Sequence, residues 1–259
     1  MTVPTVSFTA PVGPADAPLV ILGPSLGTST ILWDDVIPLL ATDYRVVAWD
    51  LPGHGSSAAA SDSFTVDELA DAVAEGAESL GSGAPVFYAG VSLGGAVGLA
   101  LALRHPALVR RAAIVASGAQ LGDAAGWQER AAQVRAQSTS SVIMGSAQRW
   151  FAPDSIARRP ELSGRLLHAL QDTDDESYAL CCQALAAYDV RDALNGIRMP
   201  ILAVWGEHDG VAPEAKSAEI ADGVCNGALV RIDDAAHLPP AEQPEAVAAV
   251  LRDFFREAS

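Results

Sequence analysis

The chain has 259 residues, half of them hydrophobic, enough to bury one large core with a modest insertion and too few for two full-sized domains. Its 32 acidic residues face 16 basic ones for a net charge of −16, with a single lysine, Lys216. That balance excludes a nucleic-acid partner, because a phosphate backbone would be repelled and no basic stripe offsets the repulsion. The cysteines, Cys181, Cys182 and Cys225, are odd in number and include an adjacent pair whose geometry disfavours a bridge. No stretch has the length needed to cross a bilayer, and Met1-Thr2-Val3-Pro4 opens without a basic or apolar run. The expectation is a cytoplasmic protein with no membrane partner.

Short apolar runs then alternate with longer amphipathic stretches. Residues 19–22, 45–49, 86–89, 112–116, 201–205 and 229–232 read as buried strands, apolar on both faces as in a parallel sheet covered by helices. Between them the pattern predicts helices over 31–41, 66–80, 93–104, 213–222 and 244–256. This βαβ rhythm predicts a doubly wound α/β domain with right-handed crossovers. Residues 119–195 break it, with helix-like pieces rich in Ala, Arg, Gln and Leu but no strand, between the turn pairs Ser117-Gly118 and Asn195-Gly196. The reading is a core of residues 1–118 and 196–259 and a helical cap of residues 119–195.

Gly90-Val91-Ser92-Leu93-Gly94 follows one strand and opens a helix. A G-x-S-x-G pattern at that junction is a nucleophile elbow, its glycines making room for a serine in a strained turn at the carboxyl edge of the sheet. A nucleophilic serine needs a base and a group to hold that base. Asp209, in Trp205-Gly206-Glu207-His208-Asp209-Gly210, and His237, in Asp233-Asp234-Ala235-Ala236-His237-Leu238-Pro239, each follow a strand and supply them in the chain order of this elbow. Glu207 is the rival carboxylate. His54 shapes the loop after its own strand, His105 precedes Pro106 at a helix end, His168 lies in the cap and His208 beside the acid. Neither histidines nor cysteines have the spacing of a metal site, so no metal is expected. Oxyanion donors are the N–H of Leu93, at the start of the helix, and the N–H of Leu26, in Gly23-Pro24-Ser25-Leu26-Gly27-Thr28 after the 19–22 strand.

Together with the elbow, Pro24-Ser25-Leu26-Gly27-Thr28 and Asp50-Leu51-Pro52-Gly53-His54-Gly55-Ser56-Ser57 resemble the 3-oxoadipate enol-lactonases of the α/β-hydrolase superfamily. The likeness continues through Gly126-Trp127-Gln128-Glu129-Arg130, Arg149-Trp150-Phe151-Ala152-Pro153, Tyr178-Ala179-Leu180-Cys181-Cys182 and Asp234-Ala235-Ala236-His237-Leu238, and so spans almost the whole chain. Leu93 departs from a common methionine and Pro24 from a common asparagine; neither removes a catalytic group. The resemblance implies the α/β-hydrolase fold, with a mostly parallel doubly wound sheet and a helical cap inserted after the sixth strand. It also implies no cofactor and, as substrate, the enol-lactone of 3-oxoadipate from the catabolism of protocatechuate and catechol. That small lactone carries a free carboxylate, so a chain of net charge −16 needs a local cation facing it. Arg130 and Arg149 are the candidates, each near a tryptophan, Trp127 and Trp150, and Ser25 completes the expected lining. Both could instead be surface arginines covering apolar area with their stems. A general carboxylesterase or cofactor-free perhydrolase on the same fold, and a ligand receptor that keeps a slow triad, remain alternatives; Ser92 excludes the aspartate nucleophile of a haloalkane dehalogenase.

Overall fold

The computed structural model describes residues 4–256. Seven strands form one sheet in the order β1-β3-β2-β4-β5-β6-β7. They are β1 Ser7–Phe8, β2 Leu19–Gly23, β3 Arg45–Asp50, β4 Val86–Val91, β5 Val109–Val115, β6 Ile201–Gly206 and β7 Gly227–Ile232. Strands β2 to β7 run parallel, and β1 pairs antiparallel with β3. Every residue of β2 and β4 is buried, as a central strand covered on both faces must be. β7 departs from the expected buried strand: as an edge element with one neighbour it keeps only Ile232 buried and leaves Leu229 exposed.

The helices are α1 Ile37–Leu40, α2 Val66–Gly81, α3 Leu93–Arg104, α4 Ala124–Gln137, α5 Ile143–Trp150, α6 Ser155–Arg158, α7 Pro160–Asp172, α8 Asp175–Ala186, α9 Glu214–Gly223, α10 Pro239–Glu242 and α11 Pro244–Arg256. α2 starts on a capping box in which Thr65 and Glu68 satisfy each other's backbone N–H. The helix expected over 31–41 is broken into a 3₁₀ turn, Thr30–Trp33, and the short α1. Pro38 is the reason: it has no N–H to reach back to Asp34, so it is tolerated only in the first turn of a new helix.

Among the described residues five strands, not six, precede the cap. The single antiparallel bridge between Val12 and Val46 continues the pairing of β1 with β3, and Pro11 and Pro14 on either side of Val12, which cannot donate to a ladder, keep it from lengthening. Residues 119–195 contribute α4 to α8 and no strand, with α4 and α8 packed along each other. The cap is tied to the sheet loops by the Asp174 N–H to the Gly53 carbonyl at 3.0 Å, the Ala60 N–H to Ser177 Oγ at 2.9 Å and the Leu238 N–H to the Trp150 carbonyl at 3.2 Å. Among the described residues no helix is long and apolar enough to cross a membrane.

From β2 the chain moves outward to β3 and then returns past β2 to β4, so the strand order reverses between β2 and β4. In open α/β sheets the crevice beyond the carboxyl ends of the strands at such a reversal is where ligands bind. The loops after β2 and β4 are those that carry Leu26 and Ser92.

Candidate active site

β4 ends at Val91 and α3 begins at Leu93, so Ser92 alone makes the turn, at φ 55° and ψ −113°. A non-glycine residue at such a positive φ costs on the order of 1–3 kcal/mol and persists only where its surroundings hold it. Here the Ser92 N–H donates to the Val115 carbonyl at 2.9 Å, and Ser117 Oγ donates to the Ser92 carbonyl at 2.7 Å. The flanking glycines are required by contact. A Cβ on Gly90 would lie 2.3 Å from the Gly94 carbonyl oxygen, and one on Gly94 would lie 2.5 Å from that of Pro24.

The Gly94 N–H donates to the Pro24 carbonyl at 2.9 Å, locking the β2 loop to the first turn of α3. Ser25 and Thr28 close the β2 loop on itself. The Ser25 carbonyl accepts from both the Thr28 N–H and Thr28 Oγ1, and the Ser25 N–H donates to the same hydroxyl. With these groups used, the N–H groups of Leu26 and Leu93 have no acceptor among the described residues. They are the two donors that sequence spacing singles out. Ser25 is a buried residue, and its hydroxyl makes no hydrogen bond within the described residues.

Asp209 and His237 lie in the loops after β6 and β7 and meet, His237 Nδ1 donating to Asp209 Oδ2 at 3.0 Å with both side chains almost fully buried. The other oxygen of Asp209 accepts from the N–H groups of Val211 and Ala212 at 2.7 and 3.0 Å. Burial pushes the Asp209 carboxyl up, but the His237 ring and the two N–H donors outweigh it and hold the group below the usual carboxylate range. Its rival Glu207 is exposed and turns instead to the Asp234 N–H at 3.1 Å. With His208 and Asp234 it forms an exposed group whose ligand atoms all lie within 4.8 Å, a grouping across two loops that the spacing of histidines and cysteines does not reveal.

In the cap, the two candidate arginines differ. Arg130 is half-buried, its guanidinium carbon 5.7 Å from the Trp127 ring and 5.6 Å from the Tyr178 ring, with one hydrogen bond, to Ser146 Oγ at 3.2 Å. Its Nε is buried with no acceptor. Arg149 is exposed as a residue, but its guanidinium folds back toward Gly145. There burial, and then the charge of Arg130, lower its pKa. Neither has a carboxylate within ion-pair distance among the described residues, whereas Arg104, Arg135, Arg159, Arg165 and Arg191 all do. Trp150 is buried against the oxyanion loop, since a Cβ on Gly27 would lie 3.4 Å from its ring, and Trp127 is half-buried with its indole N–H on the Leu121 carbonyl at 2.6 Å.

Glu242 is a site residue that the sequence does not announce. This buried carboxylate accepts from the Ala152 N–H of the cap at 2.6 Å and from the Ala236 N–H, beside His237, at 2.7 Å. Burial raises its pKa despite these donors and the Ser155 hydroxyl. Glu242→Gln would set an amide NH₂ against one of the two N–H groups. The expected loss is about 1–3 kcal/mol of stability, read by thermal unfolding, together with slower turnover as the histidine loop loosens. A variant as stable and as active as the parent would show the clamp to be dispensable.

The fold thus brings Ser92 and the hydrogen-bonded pair Asp209 and His237 to loops at the carboxyl edge of one sheet. The chain belongs to the α/β-hydrolase family, whose model, described as the alpha/beta hydrolase fold, matches residues 18–244. It is 33% identical to 3-oxoadipate enol-lactonase 2 of Acinetobacter baylyi over 246 residues, 93% of this chain and 91% of that protein. It is 31% identical to a pimeloyl-[acyl-carrier protein] methyl ester esterase of Neisseria meningitidis, over 88% of this chain and 90% of that one. Among solved structures, the enol-lactonase from Burkholderia xenovorans LB400 superimposes with a TM-score of 0.92 at 30% identity, covering 97% of this chain and 96% of that one.

Proposed function

We propose that the chain opens the enol-lactone of 3-oxoadipate by serine acyl-enzyme catalysis, as a step in the catabolism of protocatechuate and catechol. Ser92 Oγ attacks the lactone carbonyl while His237 Nε2 takes its proton, and Asp209 holds the ring and stabilises the imidazolium. The N–H groups of Leu26 and Leu93 bind the tetrahedral oxyanion. Collapse breaks the ring C–O bond, and the leaving enol oxygen takes the proton back from His237 before tautomerising to the ketone. Water, deprotonated by His237, then attacks the acyl carbonyl; Ser92 departs with that proton and 3-oxoadipate is released. No step uses a metal or cofactor.

The observation that carries the substrate over a neutral ester is Arg130, a half-buried guanidinium with an unpartnered Nε in a protein of net charge −16. An ionised carboxylate on the substrate supplies the missing partner. The likeness to two enol-lactonases supports the same choice.

The test is turnover of the enol-lactone against small neutral esters such as phenyl acetate, with a fluorophosphonate probe added to report the nucleophile. The expected result is the higher kcat/KM on the charged lactone and a phosphonyl adduct on Ser92 alone. Faster hydrolysis of neutral esters would make the chain a general carboxylesterase, the reading that the pimeloyl ester esterase likeness favours. Absence of any adduct on Ser92 would remove the serine mechanism itself.

A further inference from the structure

His54 lies far in sequence from every group of the proposed mechanism, yet it is nearly inaccessible to solvent and both ring nitrogens are engaged. Nδ1 is 2.9 Å from the Pro52 carbonyl, which can only accept, so Nδ1 carries the proton. Nε2 is therefore the acceptor, and it takes the Gly27 N–H at 3.1 Å. Burial lowers the pKa of the ring to about 4, which keeps this acceptor unprotonated at neutral pH.

What this bond fixes follows from peptide geometry. A trans peptide points its C=O and N–H in opposite directions, so orienting one orients the other. The Ser25–Leu26 peptide is held by its carbonyl, through the two Thr28 donors, and this aims the Leu26 N–H the opposite way. The next peptide, Leu26–Gly27, is held by its N–H, through His54. Gly27 between them has φ +81° and no room for a side chain, since a Cβ would lie 2.7 Å from Leu170 Cδ1 and 3.3 Å from the Tyr178 ring. Without the bond to His54 the Leu26–Gly27 peptide could swing at this glycine joint, loosening the turn through which Thr28 holds the Ser25 carbonyl and so aims the Leu26 N–H. The Tyr178 ring from the cap stacks on His54 with centroids 6.3 Å apart, and Arg130 lies over that same ring.

We propose that His54 is the positioning residue of the oxyanion hole, holding Gly27 so that the Leu26 N–H points at the reacting oxygen, with Tyr178 of the cap keeping the imidazole in place. The inference rests on the serine mechanism proposed above and adds to it a residue that touches no substrate. A donor that must reorient during the reaction contributes less than a preorganised one, so the effect belongs to the transition state and not to ground-state binding.

Two amide variants separate the two ring nitrogens. In His54→Asn the amide can replace Nδ1 on Pro52 but is too short to reach Gly27; in His54→Gln the amide oxygen reaches the place of Nε2 and restores the acceptor. His54→Asn is expected to lower kcat about 10- to 100-fold on phenyl acetate with KM within about twofold, less than the loss of a whole oxyanion donor. It should weaken a boronic acid, which forms a tetrahedral adduct on Ser92, by the same factor while leaving the affinity for adipate unchanged. His54→Gln should recover most of both losses. Equal losses in the two variants, adipate affinity falling with boronate affinity, or failure of both to fold would make His54 a residue of the fold and overturn the proposal. Ser92→Ala, assayed alongside, keeps the two readings apart: retained turnover there sinks the serine mechanism, whereas an inactive Ser92→Ala beside a fully active His54→Asn sinks only the role of His54.

Discussion

Ser92→Ala and His237→Ala are each expected to reduce kcat on the enol-lactone by roughly 10⁶, and the double variant by little more, because nucleophile and base act as one unit. Asp209→Asn is expected to be milder, roughly 10⁴, since the asparagine keeps hydrogen bonds to the loop but loses the charge that stabilises the imidazolium and presents the wrong group to Nδ1. The site gives this ranking a physical basis. Asp209 is held by two N–H donors as well as by His237, so its replacement leaves the loop standing. Glu207→Gln should change kcat less than twofold, about the effect of an exposed residue whose bond to the Asp234 N–H an amide oxygen can also make. Single-turnover and steady-state rates on the same lactone preparation check all five variants. A crippled Glu207→Gln beside an active Asp209→Asn would reverse the assignment of the acid.

The elbow was legible in the sequence because its constraint is local. Gly90 and Gly94 stand where any Cβ would strike backbone within the same strand-turn-helix unit or the loop beside it, and that demand is written into five consecutive residues. Asp209 and His237 were legible for a related reason: each lies in the loop after a strand, which fixes the edge of the sheet at which it emerges. The role of His54 was not, since the partner of its Nε2 is 27 residues away and joins it only when β2 and β3 pair. Glu242 was hidden more deeply. A glutamate in a proline-rich turn reads as solvated surface, and only the docking of the cap on the histidine loop buries it. The break in the 31–41 helix could have been read from Pro38, whereas the difference between Arg130 and Arg149 depends on which ring system each one meets after the cap folds.

That difference gives the second large effect. Arg130→Met is expected to lower kcat/KM for the enol-lactone by about 2–4 kcal/mol, on the order of thirty- to thousandfold, because it removes the cation proposed to face the free carboxylate. Arg149→Met should cost less, under about tenfold, since its guanidinium folds back toward Gly145 on a residue that is exposed as a whole. The buried Nε of Arg130 is the reason for the ranking. A charged donor without an acceptor is costly to keep in a folded chain, and a substrate carboxylate that completes the fork relieves that cost only while it is bound. Removal of the clamp should therefore act on charged and neutral substrates differently. Phenyl acetate, which uses Ser92, His237 and the two oxyanion donors but has no carboxylate, should be hydrolysed by Arg130→Met within about twofold of the parent rate. Thermal unfolding should change by no more than about 1–2 kcal/mol, because the apolar side chain removes a half-buried charge that has no ion-pair partner among the described residues but also its ring contacts and its bond to Ser146. An Arg130→Met enzyme that opens the charged lactone as fast as the parent, alone and combined with Arg149→Met, would move the carboxylate site elsewhere. Equal losses on both substrates would mark Arg130 as a support of the cap and leave the anion unread by it.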